Sequence, residues 1–461
     1  MSSGLSSLPL IAGDTLDAPL AWRDGQPVTR RQYLADVHAL AVRLPDAGTM
    51  LNVTADRYRF AVGLGAAMLR GQSNLMPPNH TPDTVARLRG LFPGTYGLTD
   101  VADPGLDLPL VHHADHAAAA PASTDTPRLP DAMLAAQVLT SGSTGAPVPH
   151  PKHWGLLTRN TDAGAQRLAR EMGVASLAGV TLVATVPPQH MYGFESTVLV
   201  ALLGGAAFDA ERPFYPADIA RALTRAPRPR MLVTTPFHLK MLLDSGIALP
   251  AIDLTLCATA PLSPQLAARA EAALAAPLME IYGCTEAGQV ASRRPTAGVE
   301  WQLYEGLQLS GDGAETIVQG GHVPQPTQLA DVIEVIDATR FRLLGRSNDL
   351  INIAGKRSSL GHLNYHLNMI PGVQDGAFWL PREDDADGGV VRLIAFVVAP
   401  DLAPRALQEA VVKALRERVD AAFLPRRVIA VPALPRETTT GKLPANAFNA
   451  WAGQALAAAR S

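Results

Sequence analysis

The sequence predicts an α/β fold in two parts: a large N-terminal domain of mostly parallel sheets wrapped by helices, residues 1–347, and a small α+β domain, residues 348–461. Three observations predict it. Short apolar runs alternate with helical stretches through the middle of the chain, which is the pattern of βαβ units. A length of 461 residues exceeds what one compact core ordinarily holds. The chain also closes with a strand, a helix and a strand in a segment of about a hundred residues, an ordinary size for a separate domain.

Taken in order, residues 114–131 are rich in Pro, Ala and Asp and read as a surface connection. The runs 137–139, 181–185, 231–234 and 254–258 read as strands, and 217–225, 236–244 and 264–275 as the helices between them. Near the end, 390–398 is a strand, Leu407, Val411, Ala414 and Leu415 form the apolar stripe of a helix, and 427–431 returns as a strand.

Composition narrows the function. Thirty-nine basic and 42 acidic residues leave a net charge of −3 without a long basic run, which argues against nucleic acid or anionic lipid and for a small-molecule partner. Cys257 and Cys284 are too few for a disulfide framework, so a reducing, cytoplasmic setting is expected. The first residues lack a secretion signal, and the longest apolar stretch, 197–208, is shorter than the roughly 20 residues of a membrane span.

Four runs carry the chemistry. In LTSGSTGAPVPHPK, residues 139–152, Gly142 and Gly145 permit close backbone approach, and Thr140, Ser141, Ser143 and Thr144 offer donors, as a phosphate loop requires. It is not a Walker loop, because the glycine-to-lysine spacing fails. In IYGCTE, residues 281–286, Tyr282 offers a ring for a purine, Gly283 a tight turn, Thr285 a hydroxyl for phosphate and Glu286 a carboxylate for Mg²⁺. In LLGRSNDLINIAGKR, residues 343–357, Arg346 can fork onto ribose or phosphate. PRETTTGK, residues 435–442, places Lys442 after a Thr- and Gly-rich turn. Singly, each run has a plainer explanation: a flexible turn, a buried tyrosine with a loop glutamate, a surface ion pair and a solvated lysine.

Together, in this order and spacing, the four runs resemble the adenylate-forming enzymes: acyl- and aryl-CoA synthetases, the adenylation domains of nonribosomal peptide synthetases, and luciferases. Residues 22–44 are similar to that superfamily's opening strand and helix. The resemblance implies that residues 140–145 hold the β- and γ-phosphates of ATP, that Thr285 meets the α-phosphate, and that Glu286 binds Mg²⁺. It places Tyr282 and Gly283 at the adenine, and Ala258, Thr259 and Ala260, in ATAP, at the adenine and acyl pockets. Asp331 would bind the ribose hydroxyls with Arg346 as its partner. His190, in PPQHMYGFE, would stand at the mouth of the acyl pocket. Asn348 would be the hinge of a mobile C-terminal domain, and Lys442 the lysine used only in adenylation. The implied reaction joins a small carboxylic acid to ATP, releases pyrophosphate and passes the acyl group from acyl- or aryl-AMP to CoA or to the phosphopantetheine of a separate acyl carrier protein.

Three positions depart from the superfamily. Val148 stands where a loop lysine is usual, with Lys152 four residues on, and Asn348 and Asn352 replace the usual hinge residue and a following lysine. PVPHPKHWG is similar to acyl-AMP synthetases that load carrier proteins. The competing expectation is a nucleotide-binding member that has lost ligation and acts as a sensor or partner subunit. His362 and His366 have the spacing of a two-histidine metal site but lack a third ligand. His112, His113 and His116 read as solvated surface, and Cys284 as a small filler.

Overall fold

A computed structural model of the chain describes residues 6–13, 15–113, 125–141, 147–311, 315–346, 350–353, 356–381, 392–436 and 443–458. Among the described residues, two large sheets form the scaffold. The core of the larger, eleven-stranded sheet consists of parallel strands, Leu278–Cys284, Leu254–Cys257, Arg230–Thr234, Thr181–Ala184, Ala207–Asp209 and Pro19–Arg23 in spatial order, and antiparallel strands extend it at both ends. The six-stranded sheet is parallel from Leu134–Ser141 through Ser73–Met76, Thr49–Asn52 and Tyr96–Thr99 to Leu110–His112, and Pro147–His153 lies antiparallel at its edge. The predicted α/β architecture is therefore present, with mixed rather than purely parallel sheets.

The predicted elements fall close to the observed ones. Helices Pro216–Arg225, Pro236–Asp244 and Pro264–Leu274 each open on a proline, which suits a first helical turn because its N–H would have no partner there. Two differences have physical causes. Within 114–131, Arg128–Pro130 is a short strand paired with Ser7–Pro9, and only the partner strand makes so brief a segment extended. His113 is not solvated: burial and the neighbouring Arg59 push its imidazole down to about 4, out of the range in which it carries charge at neutral pH.

The fully buried Arg57, at the start of helix Arg57–Leu69, joins the two sheets. The helix packs on Thr49–Asn52 and Ser73–Met76 of the smaller sheet. Its guanidinium donates to the carbonyls of Asp209 (3.1 Å), Glu211 (2.9 Å), Ala184 (3.2 Å) and Val186 (2.6 Å), at the C-terminal ends of two parallel strands of the larger one. Burial lowers its pKa to about 10, which leaves it charged at neutral pH.

Towards the C-terminus, strands Asp375–Trp379, Ile394–Val398 and Arg427–Ala430 form a separate sheet, packed by helices Leu360–Asn368, Pro404–Arg416 and Ala445–Ala458 around apolar clusters of its own. Among the described residues, two contacts with the larger sheet stand out. The Ser359 hydroxyl donates to the Leu344 carbonyl and caps its own helix at His362 N (3.0 Å). Gly345 is required beside it, since a Cβ there would lie 1.9 Å from Ser359 Oγ and the backbone has φ +127°. Nearby, Tyr365 packs its ring 5.9 Å from the Arg293 guanidinium, which also lies over Trp301 and is paired with Glu280 at 2.7 Å.

Arg57→Met should lower unfolding stability by about 3 kcal/mol or more, because it strands four buried carbonyl contacts. Arg57→Lys should recover less than half of the loss, since an ammonium cannot reproduce the planar fork. Urea midpoints measure both.

Candidate active site

Two hairpins, one from each large sheet, meet at the site. The first comprises Leu134–Ser141 and Pro147–His153. Its second strand alternates Pro147, Pro149 and Pro151 with Val148, His150 and Lys152. Proline has no N–H to donate, so the prolines suit the unpaired edge of the sheet, while the intervening residues can bond to the partner strand and share one face. Burial along that face deepens from Val148, exposed, through His150 to Lys152, which is 8% exposed.

The second hairpin comprises Leu278–Cys284 and Gly288–Arg293, with Thr285, Glu286 and Ala287 at its tip. Gly288 closes the tip at φ +78°, and a Cβ there would lie 2.9 Å from Glu195 Oε1. Gly283 is equally confined, since a Cβ would fall 2.3 Å from the Gly288 carbonyl.

The hairpins touch through His150 and Lys152. His150 Nε2 shares a hydrogen bond with Thr140 Oγ1 (3.0 Å) and lies 3.8 Å from Glu286 Oε1. Lys152 Nζ donates to the Thr285 carbonyl and, at 3.3 Å, to the Glu286 carbonyl. Behind them, Asn160 Nδ2 donates to Glu195 Oε1, on the π-helical turn Phe194–Leu199.

Burial dominates the electrostatics. It lowers the Lys152 pKa against the opposing charges of Glu195, Cys284 and Glu286. It raises Glu195 to about 7, offset in part by Lys152 and Asn160. His150 is lowered by burial, with Glu286 opposing and Lys152 adding to the shift. The Cys284 thiol is pushed up to about 12, mainly by burial, so it is no thiolate nucleophile and the filler reading stands.

Farther along the same strand, Tyr282 donates from its hydroxyl to Asp331 Oδ2 (2.9 Å), and its ring packs beside Trp301 and Phe341. Asp331 is the register partner of Arg346 across antiparallel strands Asp331–Val335 and Arg340–Arg346, so the two residues expected to act together are adjacent. His190 is exposed and caps the turn that starts at Met191, its Nδ1 accepting from Tyr192 N (3.3 Å). Tyr192 Oη donates to the Leu256 carbonyl (2.9 Å), which holds that turn against the strand leading into Ala258, Thr259 and Ala260. Thr259 has φ +85°, strained for a β-branched residue by about 1–3 kcal/mol.

Gly142, Ser143, Thr144, Gly145, Asn348 and Lys442 lie outside the described residues, as do the side chains of Ser141, Arg346 and Asn352. His362 and His366 pack edge to face, 4.6 Å between ring centres, and among the described residues no three His, Cys, Asp or Glu side chains converge as a metal site. Sequence reasoning missed His150, Asn160 and Glu195. The alternating prolines signal the first; nothing local signals the other two.

The AMP-binding enzyme family model matches residues 75–318, more than half of the chain. The chain belongs to this family. The resemblance to adenylate-forming enzymes is thereby borne out. The AMP-binding chain is 33% identical over 259 residues to a 4-coumarate--CoA ligase of Rhodobacter capsulatus, covering 56% of this chain and 62% of that relative's length. It is 29% identical over 322 residues to a 4-coumarate--CoA ligase of Halorhodospira halophila, covering 66% and 73%. Among solved structures, it is similar to the anthranilate CoA ligase AuaEII in complex with anthranoyl-AMP (TM-score 0.74, 16% identity, 98% and 99% of the two chains) and to o-succinylbenzoate CoA synthetase of Bacillus subtilis in complex with OSB-AMP (TM-score 0.73, 17%, 96% and 98%). These likenesses place the fold. No helix among the described residues is long and apolar enough to cross a membrane.

Glu195 supplies a test of the buried network. Folding raises its carboxyl from 4.5 to about 7, so the stability this group contributes is fully present below pH 4.5 and is lost as pH rises through 7. Between pH 5 and pH 8 the stability of Glu195→Gln relative to the parent should therefore shift in the variant's favour by about 2 kcal/mol. Thermal midpoints across that range measure it.

Proposed function

We propose that this AMP-binding enzyme is an ATP-dependent carboxylate ligase: it forms an acyl- or aryl-AMP and pyrophosphate, then transfers the acyl group to a thiol. The observation that carries the proposal is the meeting of the two hairpins, where His150 stands between Thr140 and Glu286 and Lys152 bonds the Thr285 and Glu286 carbonyls, with Tyr282 bonded to Asp331 farther along the second hairpin's first strand. In this reading Thr140 to Gly145 hold the β- and γ-phosphates, Tyr282, Gly283 and Ala258 to Ala260 border the adenine, and Asp331 and Arg346 hold the ribose. Glu286 stands exposed at the tip of its hairpin, 3.8 Å from His150, and one carboxylate next to substrate phosphates is a donor set that suits Mg²⁺, which keeps waters for its remaining positions. Mg²⁺ held there would supply positive charge to the phosphates.

The substrate carboxylate attacks the α-phosphorus, the bond to the leaving pyrophosphate breaks, and no general base is needed because the nucleophile is already ionised. Thr285 and Lys442 offset the negative charge that accumulates. The thiol then attacks the acyl carbon and AMP leaves. Residues 1–347 form the AMP-binding domain, and residues 348–461, hinged at Asn348, move Lys442 in and out between the two half-reactions. The separate apolar clusters of the C-terminal sheet support that division. His190 borders the acid. The two 4-coumarate--CoA ligases support an aromatic acid and CoA; a separate carrier protein is the alternative acceptor, and the cytoplasm, where two free cysteines persist, the setting.

The test is pyrophosphate release with ATP, Mg²⁺ and a panel of aromatic and aliphatic acids, with and without CoA. An aromatic acid should support release that CoA accelerates. A slow burst indifferent to CoA would identify a carrier protein as acceptor, and silence throughout despite ATP binding would overturn ligation in favour of a sensor or partner subunit. Lys442→Ala should abolish release while ATP still binds; full turnover would remove Lys442 from the chemistry.

A further inference from the structure

Lys152 is a buried cation whose direction is unexpected. It stands four residues beyond the loop position where Val148 replaces a lysine, yet its ammonium is turned onto the backbone carbonyls of Thr285 and Glu286. An ammonium that is 8% exposed needs acceptors for its protons and a countercharge. The two carbonyls supply acceptors, and the nearby carboxylates of Glu195 and Glu286 supply charge. Glu195 is itself held by Asn160, and the absence of a Cβ at Gly288 leaves room for both side chains. These groups come from four separate elements: the edge strand, the long helix Trp154–Met172, the π-helical turn and the second hairpin.

We infer that Lys152 is a positioning residue for the Thr285–Glu286 tip: it fixes the tip's backbone so that the Glu286 carboxylate points at the metal position beside the phosphates, and it acts on ATP only through that carboxylate. The inference rests on the ligase reading of the same site and adds to it a division of labour along one strand face, with Lys152 working from below and the rim left to Val148 and His150. A lysine that instead reached the phosphates directly would strengthen ATP binding whether or not a metal was present. A lysine that orients the metal carboxylate acts only when the metal is there.

Lys152→Met keeps the side chain's length and removes its charge and donors. Removing a group that orients a metal ligand is expected to raise the Mg²⁺ concentration for half-maximal pyrophosphate release by about tenfold or more. The carboxylic acid KM and the Mg²⁺-free affinity for ATP should each stay within about twofold of the parent. The double variant Lys152→Met/Glu286→Gln should show no Mg²⁺ defect beyond that of Glu286→Gln alone, as expected when one residue works through the other. Leu157→Ala, a cavity variant in the adjoining helix, controls for stability: it should lower the thermal midpoint without moving the Mg²⁺ dependence.

An unchanged Mg²⁺ requirement in Lys152→Met overturns the inference. So does a multiplicative loss in the double variant, or a loss of Mg²⁺-free ATP affinity as large as the loss with metal. If the parent releases no pyrophosphate with any acid, the ligase reading fails separately. The same comparison, made by calorimetry of ATP binding with and without Mg²⁺, then decides the role of Lys152.

Discussion

Two sheets of different size must present one hairpin each to a common point, and the buried ammonium of Lys152 is the contact on which that alignment depends. A hairpin that projects beyond its sheet is free to tilt unless something packs against it. Burying a charge removes that freedom: the ammonium must keep its acceptors and countercharges or bear an uncompensated loss of hydration. Its acceptors here are main-chain carbonyls of the opposite hairpin, so satisfying the lysine sets the position of that hairpin's tip relative to the strand that carries Lys152. Arg57 applies the same principle elsewhere, with a helix of one sheet and four carbonyls of the other. In both places a cation bonds backbone rather than a mobile carboxylate, which makes the joint rigid.

This solution shapes the chemistry available at the rim. With Lys152 turned inward, the described part of the loop hairpin presents His150 beside Glu286, and burial works against a charge on that imidazole. Positive charge for the phosphates then falls to the metal that suits Glu286 and, in the proposed mechanism, to Lys442. The site also holds strained or confined backbone, at Thr259 and at Gly283 and Gly288, where only a firmly packed surround keeps the chain in place.

Much of the fold was legible because its signals are local. Parallel strands buried on both faces read as short apolar runs, and the helices between them open on prolines at 216, 236 and 264. The partnership of Asp331 with Arg346, which the resemblance implied, coincides with a register contact between their strands, whereas the hydrogen bond from Tyr282 to Asp331 was not anticipated. The strand Arg128–Pro130 and the half-buried His113 were not legible, since a partner 121 positions away creates the one and tertiary burial beside Arg59 desolvates the other.

By itself, the sequence determined the order of the strands and helices and the family, and it singled out the small set of residues proposed to meet a nucleotide, because spacing within a loop constrains chemistry wherever the loop lies. Only the tertiary structure decided what Lys152, Glu195 and Asn160 do. Each is an ordinary polar residue in its own segment, and its role exists only because three distant elements bring it into a space too dry for an unpaired charge. The alternating prolines lie between the two cases: they place His150 and Lys152 on one face of an edge strand, but the neighbour that this face meets comes from the other sheet.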